Sequence, residues 1–358
     1  MTTTDPHKHQ AGRTIARPAA QRGWTLRQLA IQACGLGFFY VVVLVIFSIE
    51  SDHFLTYSNL TTILASVAVL GIVSIGQAIA IIGGGFDLSV SGTLPLGAVV
   101  YADLVNHGMP YALAVIVAVL IGAVVGAVNG FIVARLGINP LITTLGTLSI
   151  AGGLAYTITN GVTQPFTNAG AGLWGNAAFH GIQWGVIAFV IIAIAGAIAL
   201  RLTVFGRSVY ALGGNAEASR LAGLRVPLLT GSLYVISGAL AAFAGVIAAA
   251  QLFAGSATLD TTANLQSITA VILGGAALTG GVGGIGGTVL GVLLLGTIEN
   301  GMALMQVQTF YQQIATGVVL LIAVGFGRLR TVLGASARER KSSVTEVPSV
   351  SPTPEEAS

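Results

Sequence analysis

Asn215, Glu217 and Arg220 fall close together in the stretch RLTVFGRSVYALGGNAEASRLAGLRVP, residues 201–227. An Asn placed before Ala-Glu-Ala-Ser-Arg-Leu suits a helix N-cap, where its side-chain oxygen takes an orphan amide of the first turn. Glu217 then sits in that first turn, where the helix dipole favours an acid. Gly223 supplies a stop. The spacing predicts a short helix at residues 216–221, outside any membrane. Arg201, Arg207, Arg220 and Arg225 surround it, with Glu217 as the only acid of the stretch. A compact, polar, capped helix of this kind suits the docking of a partner. A solvated linker whose arginines only fix topology is the alternative, and it would not need caps.

Other residues would do chemistry within the apolar part. In IIGGGFDLSVSGTLPLGA, residues 81–98, three glycines end one apolar run and Asp87 precedes the next. Asp87 reads either as the N-cap of the following helix or as an ionisable group in a broken segment that lines or gates a path. Polar residues inside apolar runs are few: Gln77, Asn129, Asn139, Gln266, Glu299, Asn300, Gln312 and Gln313. A neutral, hydroxyl-rich solute would cross a path lined by amides, and Asp87, Asn129, Asn300 and Gln312 are the candidates for it. Hydrogen bonds between helices are the competing reading. The run GGAALTGGVGGIGGT, residues 274–288, invites comparison with a phosphate loop but lacks the Lys that reaches the β- and γ-phosphates. The lysines, Lys8 and Lys341, lie near the two ends of the chain. The run therefore reads as a tight turn between closely packed helices, and no nucleotide hydrolysis is expected of this chain. No cofactor, metal cluster or Ser–His pairing is expected either.

These residues must be positioned by membrane-spanning helices. Charged residues make up 8% of the chain and hydrophobic ones 54%, against about 25% charge in a soluble domain. Apolar runs long enough to cross a bilayer recur, without the alternation of an outer-membrane barrel. Ten spans are expected, at about 29–49, 60–82, 88–105, 110–134, 141–159, 183–200, 228–252, 265–280, 284–302 and 313–327. The third, eighth and tenth are short. With the N-terminus inside, all 15 Lys and Arg residues fall in cytosolic segments, and Glu50, Asp52, Asp103 and Asp260 fall outside, which is the positive-inside bias carried to completion. A basic tail, 1–28, would precede a transmembrane domain, 29–330, with its cytoplasmic loop at 201–227. A disordered tail, 331–358, would follow. The first 28 residues do not read as a signal peptide, and Cys34, the single cysteine, excludes an intrachain disulfide.

Spans 2–5 and 7–10 begin on opposite sides, so a repeat relating them would be inverted. Gly122, Gly126 and Gly130 in the fourth span match Gly283, Gly287 and Gly291 in the ninth, and small residues so spaced let helices approach closely. Asn129-Gly130 and Asn300-Gly301 add to the likeness. Inverted repeats are a common plan of transporters, with the solute path at their interface.

Five blocks carry a family resemblance: GGGFDLSVSG from 83, NGFIVARLGINPLITTLGTLSIAGGLA from 129, GRSVYALGGNAEASRLAGL from 206, YVISGALAAFAGVI from 234 and VILGGAALTGG from 271. Over roughly residues 29–327 the chain resembles the permease subunits of bacterial ABC importers for monosaccharides, of the ribose, xylose and galactose type. The wider family also includes branched-chain amino acid transporters. The resemblance implies an all-α inner-membrane protein of two inverted five-helix halves, with cytoplasmic termini, working by alternating access. It implies cytosolic ATP-binding subunits, a second permease copy, identical or not, and an extracytoplasmic sugar-binding protein, with lipid around it and no nucleic acid. The loop matching 206–224 would carry the coupling helix seated in an ATPase groove, with Arg207, Asn215, Glu217, Ala218, Arg220, Leu221 and Gly223 as its contacts. Two departures stand out: Phe86 replaces an Ile with Ser91-Gly92 reversed, and Val282 replaces a frequent basic residue. An ABC importer for a nucleoside, autoinducer or branched-chain amino acid is the alternative. An ion-coupled transporter is a further one, although intramembrane acids beyond Asp87 and Glu299 are wanting.

Overall fold

A computed structural model describes residues 26–167, 170–308, 310–319 and 321. Residues 1–25 and the tail at 331–358 lie outside the described residues, as does most of the end of the tenth expected span.

Helices form where the apolar runs are. They are α1 (Leu26–Glu50), α2 (Tyr57–Ile82), α3 (Val90–Asn106), α4 (Tyr111–Leu136), α5 (Pro140–Thr159), α6 (Trp184–Leu202), α7 (Val204–Gly214), α8 (Ala216–Leu221), α9 (Val226–Leu252), α10 (Ala263–Leu273) and α11 (Ile285–Leu304). Residues 310–319 are also helical. By length and composition, α2, α4, α5, α6, α9 and α11 are each able to cross a membrane. Local signals set the ends. Thr56 caps α2 through the amide of Asn59, and Asn139 caps α5 through that of Leu141, with Pro140 in the first turn where no amide is needed. Gly137, at φ 69°, ends α4.

The core is built around α2, whose apolar window is 94% buried, whereas those of α4 and α6 are 22% buried. Helices hydrophobic all round and buried belong at the centre. Helices α3, α6, α9, α10 and α11 pack close to α2 or to its neighbour α9. Lipid removes the hydrophobic drive between helices, so close backbone approach must hold them. The α4–α9 seam shows this: Cβ atoms on Gly122, Gly126 and Gly130 would run into Gly238, Tyr234 and Gly231. The order of those partners makes the pair antiparallel. The second glycine stripe works in the same way, with Gly287 and Gly291 of α11 against Gly274 and Ala270.

One expectation needs correction, and two local features add to the sequence reading. The eighth span stops at Leu273, because Gly274 to Gly284 form a turn in which Gly275, Gly280, Gly281 and Gly283 take positive φ. The polar stretch holds a second helix, α7, whose Thr203 cap accepts from the Gly206 amide. Two small antiparallel pairs form, Gln164–Pro165 with Ala254–Gly255 and Ala177–Phe179 with Ile182–Gln183.

Candidate functional site

The short helix α8 lies where the sequence places it. Asn215 Oδ1 accepts from the Ala218 amide at 2.9 Å. At the other end, Gly223 at φ 88° lets the amides of Gly223 and Leu224 turn back to Arg220 O and Ser219 O, each at 3.0 Å. This closes orphan carbonyls of the last turn. Arg220 grips Glu217 with both arms, Nη2 to Oε1 at 2.6 Å and Nε to Oε2 at 3.0 Å. That hydrogen bond holds the Glu217 carboxyl below its ordinary range. Ser219 alone of α8 is buried. Glu217, Ala218, Arg220 and Leu221 are exposed, Leu221 at 77%. Arg207 is exposed on α7. A six-residue helix that buries one side chain is not made by packing. Its caps make it.

Behind α8, α7 ends in a backbone junction. A Cβ on Gly213 would collide with the Ile82 carbonyl that ends α2, and would lie 2.5 Å from the Gly281 nitrogen. Gly281 in turn donates to Ile82 O at 2.8 Å. Tyr210 of α7 donates to Gly283 O at 2.9 Å. Three chain segments therefore meet without side chains between them: the end of α2, the end of α7 and the Gly-rich turn before α11.

Next to this junction the chain breaks between α2 and α3, and Asp87 sits there fully buried. Asp87 does not cap α3 in the expected manner, because the capping position belongs to Ser89, which makes no side-chain cap bond. Asp87 Oδ1 instead takes the Ser89 amide at 3.0 Å and the Ser89 hydroxyl. Asn129 Nδ2 donates to Ser89 Oγ at 2.9 Å, and Thr147 Oγ1 donates to Asn129 Oδ1 at 2.7 Å. Two of the four expected path residues thus join in one closed network linking the break to α4 and α5. The other two go elsewhere. Asn300 exchanges hydrogen bonds with Asn59 at 2.9 and 3.0 Å, and Gln312 Nε2 donates to Val307 O at 2.9 Å. The reversed Ser91-Gly92 has a structural reason. Ser91 Oγ accepts from the Asn264 amide at 2.7 Å, and a Cβ on Gly92 would strike the Leu148 carbonyl of α5.

At the opposite end of the bundle a cavity of about 430 Å³ lies among α2, α9, α10 and α11. Ser66, Gln251, Asp260, Gln266 and Glu299 bring polar groups to it, and Val67, Leu70, Leu252 and Leu259 supply apolar wall. Gln266 Nε2 donates to Glu299 Oε1 at 2.8 Å, and Gln251 bridges the Ala65 carbonyl and Gln183. Asp260 stands in the second chain break, between α9 and α10, where burial pushes its pKa up. None of the four expected path residues lines this cavity. Gln266 and Glu299 were visible in sequence as polar residues in apolar runs; Gln251, at the end of the seventh expected span, carries the same signal but was passed over, and Asp260 gave no pattern of its own.

Long apolar helices about a central buried one define an all-α integral membrane protein, and the two broken segments suit a transporter rather than an anchor. The model of the family described as "Branched-chain amino acid transport system / permease component" matches residues 59–324, and the chain belongs to that family of permeases. It is 39% identical over 298 residues to the ribose import permease protein RbsC of Bacillus subtilis, covering 83% of this chain and 92% of that one. It is 35% identical over 315 residues to the L-arabinose ABC transporter permease protein AraH of Azospirillum brasilense, covering 87% and 92%. RbsC of Escherichia coli is 37% identical over 307 residues, covering 85% and 94%. No solved structure matches the chain significantly.

Proposed function

We propose that the chain is the permease subunit of an ATP-driven sugar importer in a bacterial inner membrane. In this reading residues 29–330 form ten spans in two inverted halves, the termini are cytoplasmic, and the loop 201–227 meets ATP-binding subunits. Relatives named for ribose and arabinose import support the sugar. The absence of a phosphate-loop Lys from residues 274–288 agrees with ATP hydrolysis in partner chains. A binding protein on the outer side would deliver the solute.

The observation that carries the coupling role is α8 itself, a helix capped at both ends that presents Glu217, Ala218, Arg220 and Leu221 outward. A pull on it reaches α2 and the turn before α11 through Gly213, because backbone meets backbone there. Charge placement agrees with a cytosolic α8. The antiparallel α4–α9 seam brings Arg135, in the last turn of α4, to the end of the bundle that holds Arg201, Arg207, Arg220 and Arg225. The packing of helices supports the inverted halves. Exchanging α2 with α9, α3 with α10 and α4 with α11 turns the α4–α9, α3–α9 and α3–α4 contacts into α11–α2, α10–α2 and α10–α11, and all of these occur. A second permease copy suits the outer face of α5, where Gly146 and Gly153 have no atom near their Cβ positions.

The test exchanges the exposed ion pair, Arg220→Glu with Glu217→Arg. Exposed pairs contribute little to stability, so α8 keeps its caps and fold while its outward charges trade places. Sugar uptake in membrane vesicles is expected to stop, and co-purification of the ATP-binding subunits to weaken. Unchanged uptake would refute the coupling role.

A further inference from the structure

The cavity beside Asp260 has a chemistry that discriminates between solute classes, an inference that rests on the transport reading above and deepens it. Its volume, about 430 Å³, lies within the roughly 300–1,000 Å³ usual for small-molecule sites. Two carboxylates, Asp260 and Glu299, and two amides, Gln251 and Gln266, face it together with the Ser66 hydroxyl. Val67, Leu70, Leu252 and Leu259 complete it. Such a lining accepts from hydroxyl groups through its carboxylates, exchanges hydrogen bonds through its amides, and lays an apolar wall against a C–H face. The Asp260 carboxylate makes no hydrogen bond or ion pair within the described residues, whereas Glu299 is held by Gln266 at 2.8 Å. One acceptor is thus free for a ligand and one is already oriented.

Among the described residues, no Lys, Arg or His lines the cavity. A phosphorylated sugar would bring an anion against two acids with no counter-charge. An amino acid would find carboxylates for its ammonium group and nothing for its own carboxylate. A neutral polyol meets neither objection. We infer that the cavity between α2, α9, α10 and α11 is a solute site for a neutral monosaccharide, in which Asp260 and Glu299 accept from sugar hydroxyls and Gln251 and Gln266 orient the ring.

The site lies in the half of the bundle away from α8. Helix α2 enters the cavity wall about midway along its length, at Ser66–Leu70, and reaches the α7 junction only at its end, Ile82. Helix α9 runs from beside α8 to the cavity at Gln251 and Leu252. In the proposed orientation this end faces outward, so the cavity receives solute before it crosses.

Two thiol reporters test this in vesicles holding the permease with its ATP-binding subunits and supplied with the binding protein, in a Cys34→Ser background. Ser66→Cys and Leu252→Cys place a thiol at exposed positions in the cavity wall. Their modification by a small water-soluble thiol reagent is followed with D-ribose, L-arabinose, D-xylose, D-galactose or L-leucine present. At least one of the sugars is expected to slow modification at both positions several-fold, with L-leucine without effect. Adding Glu299→Gln should raise the sugar concentration that halves the rate by about tenfold, as loss of an acceptor oxygen to an N–H donor requires. Protection by L-leucine and by no sugar would overturn the assignment to a polyol. ATP-dependent sugar uptake without protection at either thiol would overturn the cavity assignment alone. Absence of uptake of all four sugars would overturn the functional reading, and this inference with it.

Discussion

The two broken segments differ in one respect that matters. Asp87 stands three residues before α3 begins at Val90, and Asp260 stands three residues before α10 begins at Ala263. Each break follows a long, central helix, α2 or α9, and the two would exchange under the proposed inverted repeat. Yet Asp87 is sealed. Ser89, Asn129 and Thr147 close over it, and Asp87 and Asn129 have no exposed surface. Asp260 instead borders an open cavity. Two equivalent places in opposite conditions are what alternating access requires of a single state. Tyr234 and Ser237 of α9 also stand beside Asp87, so the seal draws on α9 as well. In the proposed reading the Asp87 side is the closed one, and the α7 junction is placed to act on it.

The largest expected effect comes from the α7 junction. Gly213→Val drives a side chain into the Ile82 carbonyl and the Gly281 nitrogen. The junction of α2, α7 and the Gly-rich turn must then part. Initial uptake rates should fall by about 100-fold or more, the scale of a 1 Å misplacement of a working part. Parting this junction releases the Asp87 side, so alternation predicts that reagent access to a Ser66→Cys thiol in the same background falls. Unchanged access would mean that the two ends are not coupled.

A smaller effect comes from the network over Asp87. Asn129→Leu removes the donor to Ser89 and the acceptor of Thr147 at once. Buried polar groups left unpaired should lower stability by about 1–3 kcal/mol, read as a lower midpoint of thermal unfolding in detergent. An unchanged midpoint would mean that the network is not holding the break shut.

The smallest effect sharpens the comparison by exclusion. Asn300 matches Asn129 in the sequence pattern, but it pairs with Asn59 and borders neither break. Interhelical hydrogen bonds in a membrane contribute about 0.6 kcal/mol on average. Asn300→Ala should therefore leave sugar uptake within about twofold of the parent. A large loss in the uptake assay would return Asn300 to the solute path.

How far the sequence revealed this arrangement depends on whether a feature is local. The caps of α8 were legible because Asn215 and Gly223 act within a few residues of chain. The glycine stripes were legible as packing seams, since Gly126 and Gly291 have no other use in an apolar helix. The shared end of Arg135, Arg201, Arg207, Arg220 and Arg225 was legible because insertion into a membrane sorts charge by segment. What escaped was whatever depends on partners far apart in the chain. Asp87 was read as a cap because its neighbours suggested one, while its real partners also involve α4 and α5 through Ser89, 40 residues from Asn129. Gln251 and Asp260 border the cavity with Ser66, which is 185 residues earlier than Gln251 by position, and no local pattern reports such a meeting. The glycines of 274–288 read as a tight turn, and they form one. That the turn also receives Gly213 of α7 is a tertiary fact.

The central claim is that the two breaks open in alternation under the control of α8, and paired thiol reporters test it most directly. Ser66→Cys reports the cavity beside Asp260. Ser237→Cys, at a residue 1% exposed near Asp87, reports the sealed break. Each would be carried singly by the assembled complex in a Cys34→Ser background. Modification by a membrane-permeant thiol reagent is measured without nucleotide and through ATP turnover. The account predicts opposite responses, with the Ser237→Cys thiol becoming more reactive in the nucleotide condition in which the Ser66→Cys thiol becomes less so. Two thiols that rise and fall together, or that ignore ATP, would contradict it.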